Sequence, residues 1–248
     1  MPSSSLARSR KSRRGYEVLC EAVFRPLAHP LVLVLARLRV PPPVVVLSAG
    51  AAGCAAAVEL GRGSLLVAAG LVQLKTLLDN ADGQLARLTG RTSAFGRYLD
   101  SELDLVVNAA LFAALGWRYG SPALALAGFV ALTSVLSLNF NAARLSAIQP
   151  GRAHDDGGRG TAILRGIYDV VYAPQDRLAE WVVARRPSLI APARVTVLAN
   201  LGMSSQLAVF GVCLVVGHPL GFAWLALAEL GVIALAVLPQ RAPVEEPA

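Results

Sequence analysis

Hydrophobic residues come in long runs along this chain, and polar residues collect between them. Six runs approach the roughly 20 apolar residues needed to cross a bilayer: Pro43–Leu60, Ser64–Ala86, Tyr98–Trp117, Pro122–Ala143, Val195–Val216 and Leu220–Leu238. Each predicts a helix. The breaks at 61–63, 118–121 and 217–219 are short and carry glycine or proline, as tight turns do. A longer polar stretch, Ser146–Arg194, separates the fourth run from the fifth. Within it Ile163, Ile167, Val170, Val171, Leu178, Trp181 and Val182 recur at helical spacing over Thr161–Arg185. That pattern predicts a helical hairpin, interfacial or cytoplasmic. Residues 17–39 predict an amphipathic interfacial helix broken near Pro30.

The expected fold is all-α: a bundle of six transmembrane helices preceded by an N-terminal amphipathic interfacial helix. Its parts are a disordered basic tail (1–16), the amphipathic segment (17–39), a transmembrane domain (40–241) with a helical insertion (146–194), and a C-terminal tail (242–248). Composition agrees with a membrane protein. The 248 residues are 55% hydrophobic and only 16% charged, against roughly 25% charged in soluble domains. Mean hydropathy is +0.55. The basic start has no following apolar core with a cleavage site, so no signal peptide is expected. Cys20, Cys54 and Cys213 are dispersed, which argues against a disulfide framework or a zinc site.

Net charge is +7, and its distribution gives an orientation. With the N-terminus inside, nearly all Lys and Arg residues fall on one side; Arg62 and Arg118 fall on the other and Lys75 within the second run. Six crossings then predict cytoplasmic N- and C-termini in a cell (inner) membrane.

Against this apolar background stand Asp79, Asp82, Asp100 and Asp104. Ionised groups within such runs are costly and mark function. The first two are spaced i, i+3 and the last two i, i+4, so each pair shares a helix face. Two such helix ends brought together would cage a hard divalent cation in oxygen ligands. The predicted topology puts this cluster at the cytoplasmic face.

The full spacing is Asp79-x2-Asp82-Gly83-x2-Ala86-Arg87-x8-Gly96-x3-Asp100-x3-Asp104. It resembles the signature of the CDP-alcohol phosphotransferase family at every fixed position. The resemblance implies attack of an alcohol on the β-phosphorus of a CDP-alcohol, with release of CMP, in phospholipid biosynthesis. The leading donor is CDP-diacylglycerol, and the acceptor is a polyol or polyol phosphate. Four carboxylates would repel a diphosphate unless cations intervene, so two Mg²⁺ or Mn²⁺ ions are expected.

By the same resemblance Asp79, Asp82, Asp100 and Asp104 are metal ligands, and Asp104 is also the general base. Gly83, Ala86, Arg87, Ser93 and Gly96 would meet the nucleotide. Arg144 and Lys75 are acceptor-site candidates, with Lys75 also placed to pair with Asp79 on its own helix face. Asn108 could support Asp104.

Two elements depart from the family. Pro43 and Val46 stand where relatives carry Asn and Thr, and Ala142 stands where relatives that use phosphorylated acceptors carry Lys before Arg144. A soluble CDP-polyol donor is the alternative within the same chemistry. A metal- or ion-binding transporter and a lipid-recruiting scaffold are the rivals outside it. A homodimer is compatible with the small-residue run Ala49–Ala57; membrane lipids are expected partners and nucleic acid is not.

Overall fold

The computed structural model describes residues 15–146 and 158–237. Most of the basic tail, the centre of the insertion and the C-terminal tail therefore lie outside the described residues. Every described element is helical. In chain order they are α1 (Arg25–Arg37), α2 (Pro42–Arg62), α3 (Leu65–Thr89), α4 (Ala94–Arg118), α5 (Pro122–Ser146), α6 (Arg159–Val171), α7 (Ala173–Arg185), α8 (Pro192–Ala199), α9 (Met203–Val215) and α10 (Leu220–Val237).

Within the described residues five of the six apolar runs each form one helix and the fifth is divided between α8 and α9, and glycine sets several of the turns between them. Gly63 ends α2 with φ 89°, Gly120 precedes α5 with φ 60°, and Gly217 precedes α10 with φ 79°. A side chain in this left-handed region meets the following carbonyl, so glycine serves there at least cost. Gly90 ends α3 in the same way, with φ 67°. Ser93 then starts α4, its Oγ accepting a hydrogen bond from the Gly96 N–H at 3.0 Å. The link between α3 and α4 is thus only a few residues long.

Two helices, α2 and α5, are long and apolar enough to cross a membrane, and the bent pair α8–α9 makes a third if it is one span. At 25 residues each, α3 and α4 are also long. What sets them apart is charge: α3 carries Lys75, Asp79, Asp82 and Arg87, and α4 carries Asp100, Glu102 and Asp104.

One core joins α2, α3, α4, α5, α9 and α10. Leu60, Val72, Leu111, Leu115, Leu132, Phe210 and Phe222 lie at its centre. Ring centroids of Phe210 and Phe222 are 4.7 Å apart and those of Phe112 and Phe222 are 5.7 Å apart, distances at which aromatic pairs add to area burial. Helix α2 packs on both α3 and α4. Its glycines allow the approach: a Cβ at Gly53 would stand 2.5 Å from Val107 Cγ1, and one at Gly50 3.2 Å from Leu103 Cδ1. A second cluster, Ala28, Val32, Val45, Ala81 and Leu85, seats α1 on α2 and α3.

Two expectations need correction. The N-terminal helix does not break at Pro30, which lies inside α1. The lost N–H is tolerated because Ala28 and Val32 on either side are fully buried. The irregularity lies earlier, in a π-helical segment at Cys20–Phe24. The fifth run is also not one straight helix. It bends by 41° between α8 and α9. The Asn200 side chain at the bend donates to Tyr16 O at 2.8 Å and accepts from the Val18 N–H at 2.9 Å. The opened backbone thus carries a clamp on the start of the N-terminal helix.

Candidate active site

Helices α3 and α4 run from the shared apolar core to a polar end where the signature residues gather. Asp79 and Asp82 come from α3 and Asp100 from α4, and one carboxylate oxygen from each lies within 4.8 Å of the others. Asp82 is buried; Asp79 and Asp100 are partly so. Carboxylate oxygens converging from two rigid helices make a hard-ligand set that fits Mg²⁺ or Mn²⁺, and the group contains no His or Cys. Buried like charges need such compensation.

Asp104 is tied to the same site through Lys75. The Lys75 ammonium donates to Asp79 Oδ1 at 3.2 Å and also to Asp104 Oδ1. Its side chain is only 3% exposed. Gly53, Val72, Val107, Leu111 and Leu207 surround it in a small apolar enclosure.

Arg87 reaches back along α3, so a Cβ at Gly83 would lie 3.2 Å from its Nη1. Ala86, a turn beyond Asp82, keeps the same helix face shallow. A Cβ at Gly96 would meet only Ser93 Oγ, at 3.3 Å. Ser93 itself is occupied as the α4 cap.

Arg144 has partners of its own outside the acid trio. It donates to Asn141 Oδ1 and to Glu180 Oε1, each at 2.7 Å. Asn108 contacts Met203 Sδ at 3.9 Å, so its support goes to α9 and not to Asp104.

The insertion contributes a residue that sequence reasoning missed. Helix α6 packs on α4, and α7 on α5. At their junction Tyr172 donates to Ser101 O at 3.0 Å. Burial, then the negative charges of Asp104 and Glu102, hold its phenol well above the usual range. Tyr172 is thereby a protonated hydroxyl beside the acid cluster. Tyr168 stacks on it at 4.9 Å and donates to Asp176 at 3.3 Å. Burial and the Asp176 carboxylate push the Tyr168 phenol up to about 12. Asp176 also accepts from Asn141 at 2.7 Å, which fastens the hairpin to α5. The tyrosines sit one helical turn apart, but nothing in that spacing names α4 as their neighbour.

The chain belongs to the CDP-alcohol phosphatidyltransferase family, whose model matches residues 27–238. Members of this class transfer phospho-alcohol groups. The chain is 31% identical over 126 residues to the archaetidylinositol phosphate synthase of Methanothermobacter thermautotrophicus, covering 50% of this chain and 64% of that protein. It is 30% identical over 135 residues to the phosphatidylinositol phosphate synthase of Mycobacteroides abscessus, covering 52% and 61%. The synthase of the same name from Corynebacterium glutamicum is 32% identical over 124 residues, covering 48% and 57%. The chain thus spans less than two thirds of the length of these relatives.

Proposed function

We propose that this protein is an integral membrane, metal-dependent transferase of phospholipid biosynthesis. It moves a phosphatidyl group from CDP-diacylglycerol to a hydroxyl on a polyol or polyol phosphate and releases CMP. The observation that carries this reading is the convergence of Asp79, Asp82 and Asp100 within 4.8 Å, inside a complete family signature.

In the proposed reaction the acceptor oxygen forms a bond to the β-phosphorus while the phosphorus–oxygen bond to CMP breaks. Asp104 takes the acceptor proton. Lys75 donates to Asp104 Oδ1, which leaves Oδ2 for that proton and fixes the carboxylate in place. Asp79, Asp82 and Asp100 would hold a divalent cation, which when bound neutralises the diphosphate and stabilises departing CMP. Arg87 offers a planar guanidinium to phosphate. Gly83, Ala86 and Gly96 leave room for the nucleotide, with Ser93 shaping the entry to α4. The inositol phosphate names of the relatives favour a phosphorylated polyol as acceptor. Arg144 would meet its phosphate after exchanging Glu180.

Six crossings, with α1 lying at the interface and both termini in the cytoplasm, bring the acids to the cytoplasmic face. The domain arrangement is then the one read from the sequence. A homodimer is compatible with this arrangement. The decisive experiment supplies purified protein with CDP-diacylglycerol, Mn²⁺ and a panel of polyols and their phosphates, and measures CMP release. Release that depends on one acceptor is expected. Silence with every acceptor, followed by turnover of a water-soluble CDP-polyol, would replace the lipid donor.

A further inference from the structure

The described part of the α6–α7 hairpin carries three acids, and two of them turn toward the bundle. Asp176 accepts from the Asn141 side chain and Glu180 from Arg144, each at 2.7 Å, so both face α5. The third, Asp169, pairs with Arg165 at 4.0 Å. Arg159, Arg177 and Arg185 are exposed and, among the described residues, pair with no carboxylate. Apolar surface lies beside them. Ile163, Ile167 and Val170 recur at i, i+4 and i+7, share one face of α6 and are 66%, 44% and 77% exposed. The opposite face of that helix meets α4 through Tyr168 and Tyr172. On α7, Leu178 and Trp181 are exposed, and the Arg185 guanidinium lies 3.8 Å over the Trp181 ring. A helix seated in a headgroup layer presents this mixture of bulky apolar side chains and arginine.

Position agrees with that pattern. Helix α5 is long and apolar enough to cross a membrane. Its 25 residues make a rod of about 37 Å, longer than the roughly 30 Å hydrocarbon core. Asn141 and Arg144, which fasten α7, lie in its last two turns, at the polar end of the span.

We propose that the outward face of the α6–α7 hairpin docks on the anionic lipid surface beside the bundle, with its apolar side chains among the upper acyl chains and Arg159, Arg177 and Arg185 on lipid phosphates. Negative lipids attract arginines held this close to the surface, and tryptophan favours the same layer. Because α4 and α5 already hold the hairpin, little further ordering is needed for it to dock. This inference rests on the membrane reading of the proposed function and deepens it by naming a lipid partner for the insertion.

The chain has three tryptophans, Trp117, Trp181 and Trp224, so Trp117→Phe with Trp224→Phe leaves Trp181 as the only reporter. The full-length double variant is placed in lipid nanodiscs that contain either phosphatidylglycerol or phosphatidylcholine alone, with some lipid brominated on the upper acyl chain. In the anionic discs bromolipid should quench Trp181 fluorescence and aqueous acrylamide should not. Bromolipid quenching should fall roughly twofold or more in phosphatidylcholine alone, and equally in anionic discs once Arg159→Gln and Arg177→Gln are added.

Quenching by acrylamide and not by bromolipid would put the hairpin in water and overturn the proposal. So would bromolipid quenching of equal size in both lipids, or protection from both quenchers, as a protein partner or a second copy of the chain would give. If the double variant does not fold, an environment-sensitive dye on Leu178→Cys, compared with the unsubstituted chain, reads the same difference between lipid and water. None of these outcomes touches the transferase assignment, whereas a chain that alkaline carbonate strips from its host membranes would defeat the membrane reading itself.

Discussion

From Leu65 to Leu74, α3 faces its neighbours with Ala68, Ala69 and Val72; from Lys75 to Thr89 it buries Lys75, Asp82 and Gln84. Helix α4 repeats the division in reverse, with Asp100, Glu102 and Asp104 near its start and Val107, Leu111, Phe112 and Leu115 toward its end. In one half, apolar packing decides most positions, and the polar exception, Gln73, donates to Leu207 O on α9 at 2.9 Å. In the other, buried charge is retained at a cost that packing does not recover. The apolar half therefore supports stability and the polar half supports chemistry, although both belong to the same two helices.

Changes in each half should separate these roles. The largest effect is expected from Asp104→Asn, which should lower CMP release about 10²–10⁴-fold while thermal unfolding in detergent changes little. Chelation by EDTA should likewise stop turnover, and added Mn²⁺ should restore it; activity that survives chelation would break the assignment of the polar half. In the apolar half, Leu115→Ala, at a fully buried position of α4, should cost about 2–5 kcal/mol in denaturant unfolding, with the remaining folded protein turning over normally. Gly83→Ala forces Arg87 to shift and should raise donor KM roughly threefold, about 0.6 kcal/mol, with stability unchanged. The smallest effect belongs to Arg144→Ala. Its partly exposed pair with Glu180 should contribute under about 1 kcal/mol to stability, and acceptor KM should rise for polyol phosphates but not for plain polyols.

Much of this division is legible in the residues. The acid spacing identifies the site, and Gly63, Gly120 and Gly217 mark the turns because few other residues accept their backbone angles at so little cost. What escapes is decided by partners distant in sequence. Pro30 reads as a helix break, but burial of Ala28 and Val32 against α2 and α3 outweighs one lost hydrogen bond. The bend at Asn200 depends on Tyr16 and Val18, more than 180 residues away. Asn108 shares a face with Asp104 but meets Met203. Tyr172 becomes part of the site only because the insertion folds back over α4. Lys75 is the mixed case: its bond to Asp79 follows from helical spacing, whereas its bond to Asp104 requires the tertiary fold.

Helix α2 carries none of the signature acids, yet both acid-bearing helices rest against it. Gly53 has no methyl to hold Val107 away, so the gauge between the aspartate pairs is machined into a bystander. Adding one carbon at that glycine would widen the jaws of the site while leaving every chemical group in place.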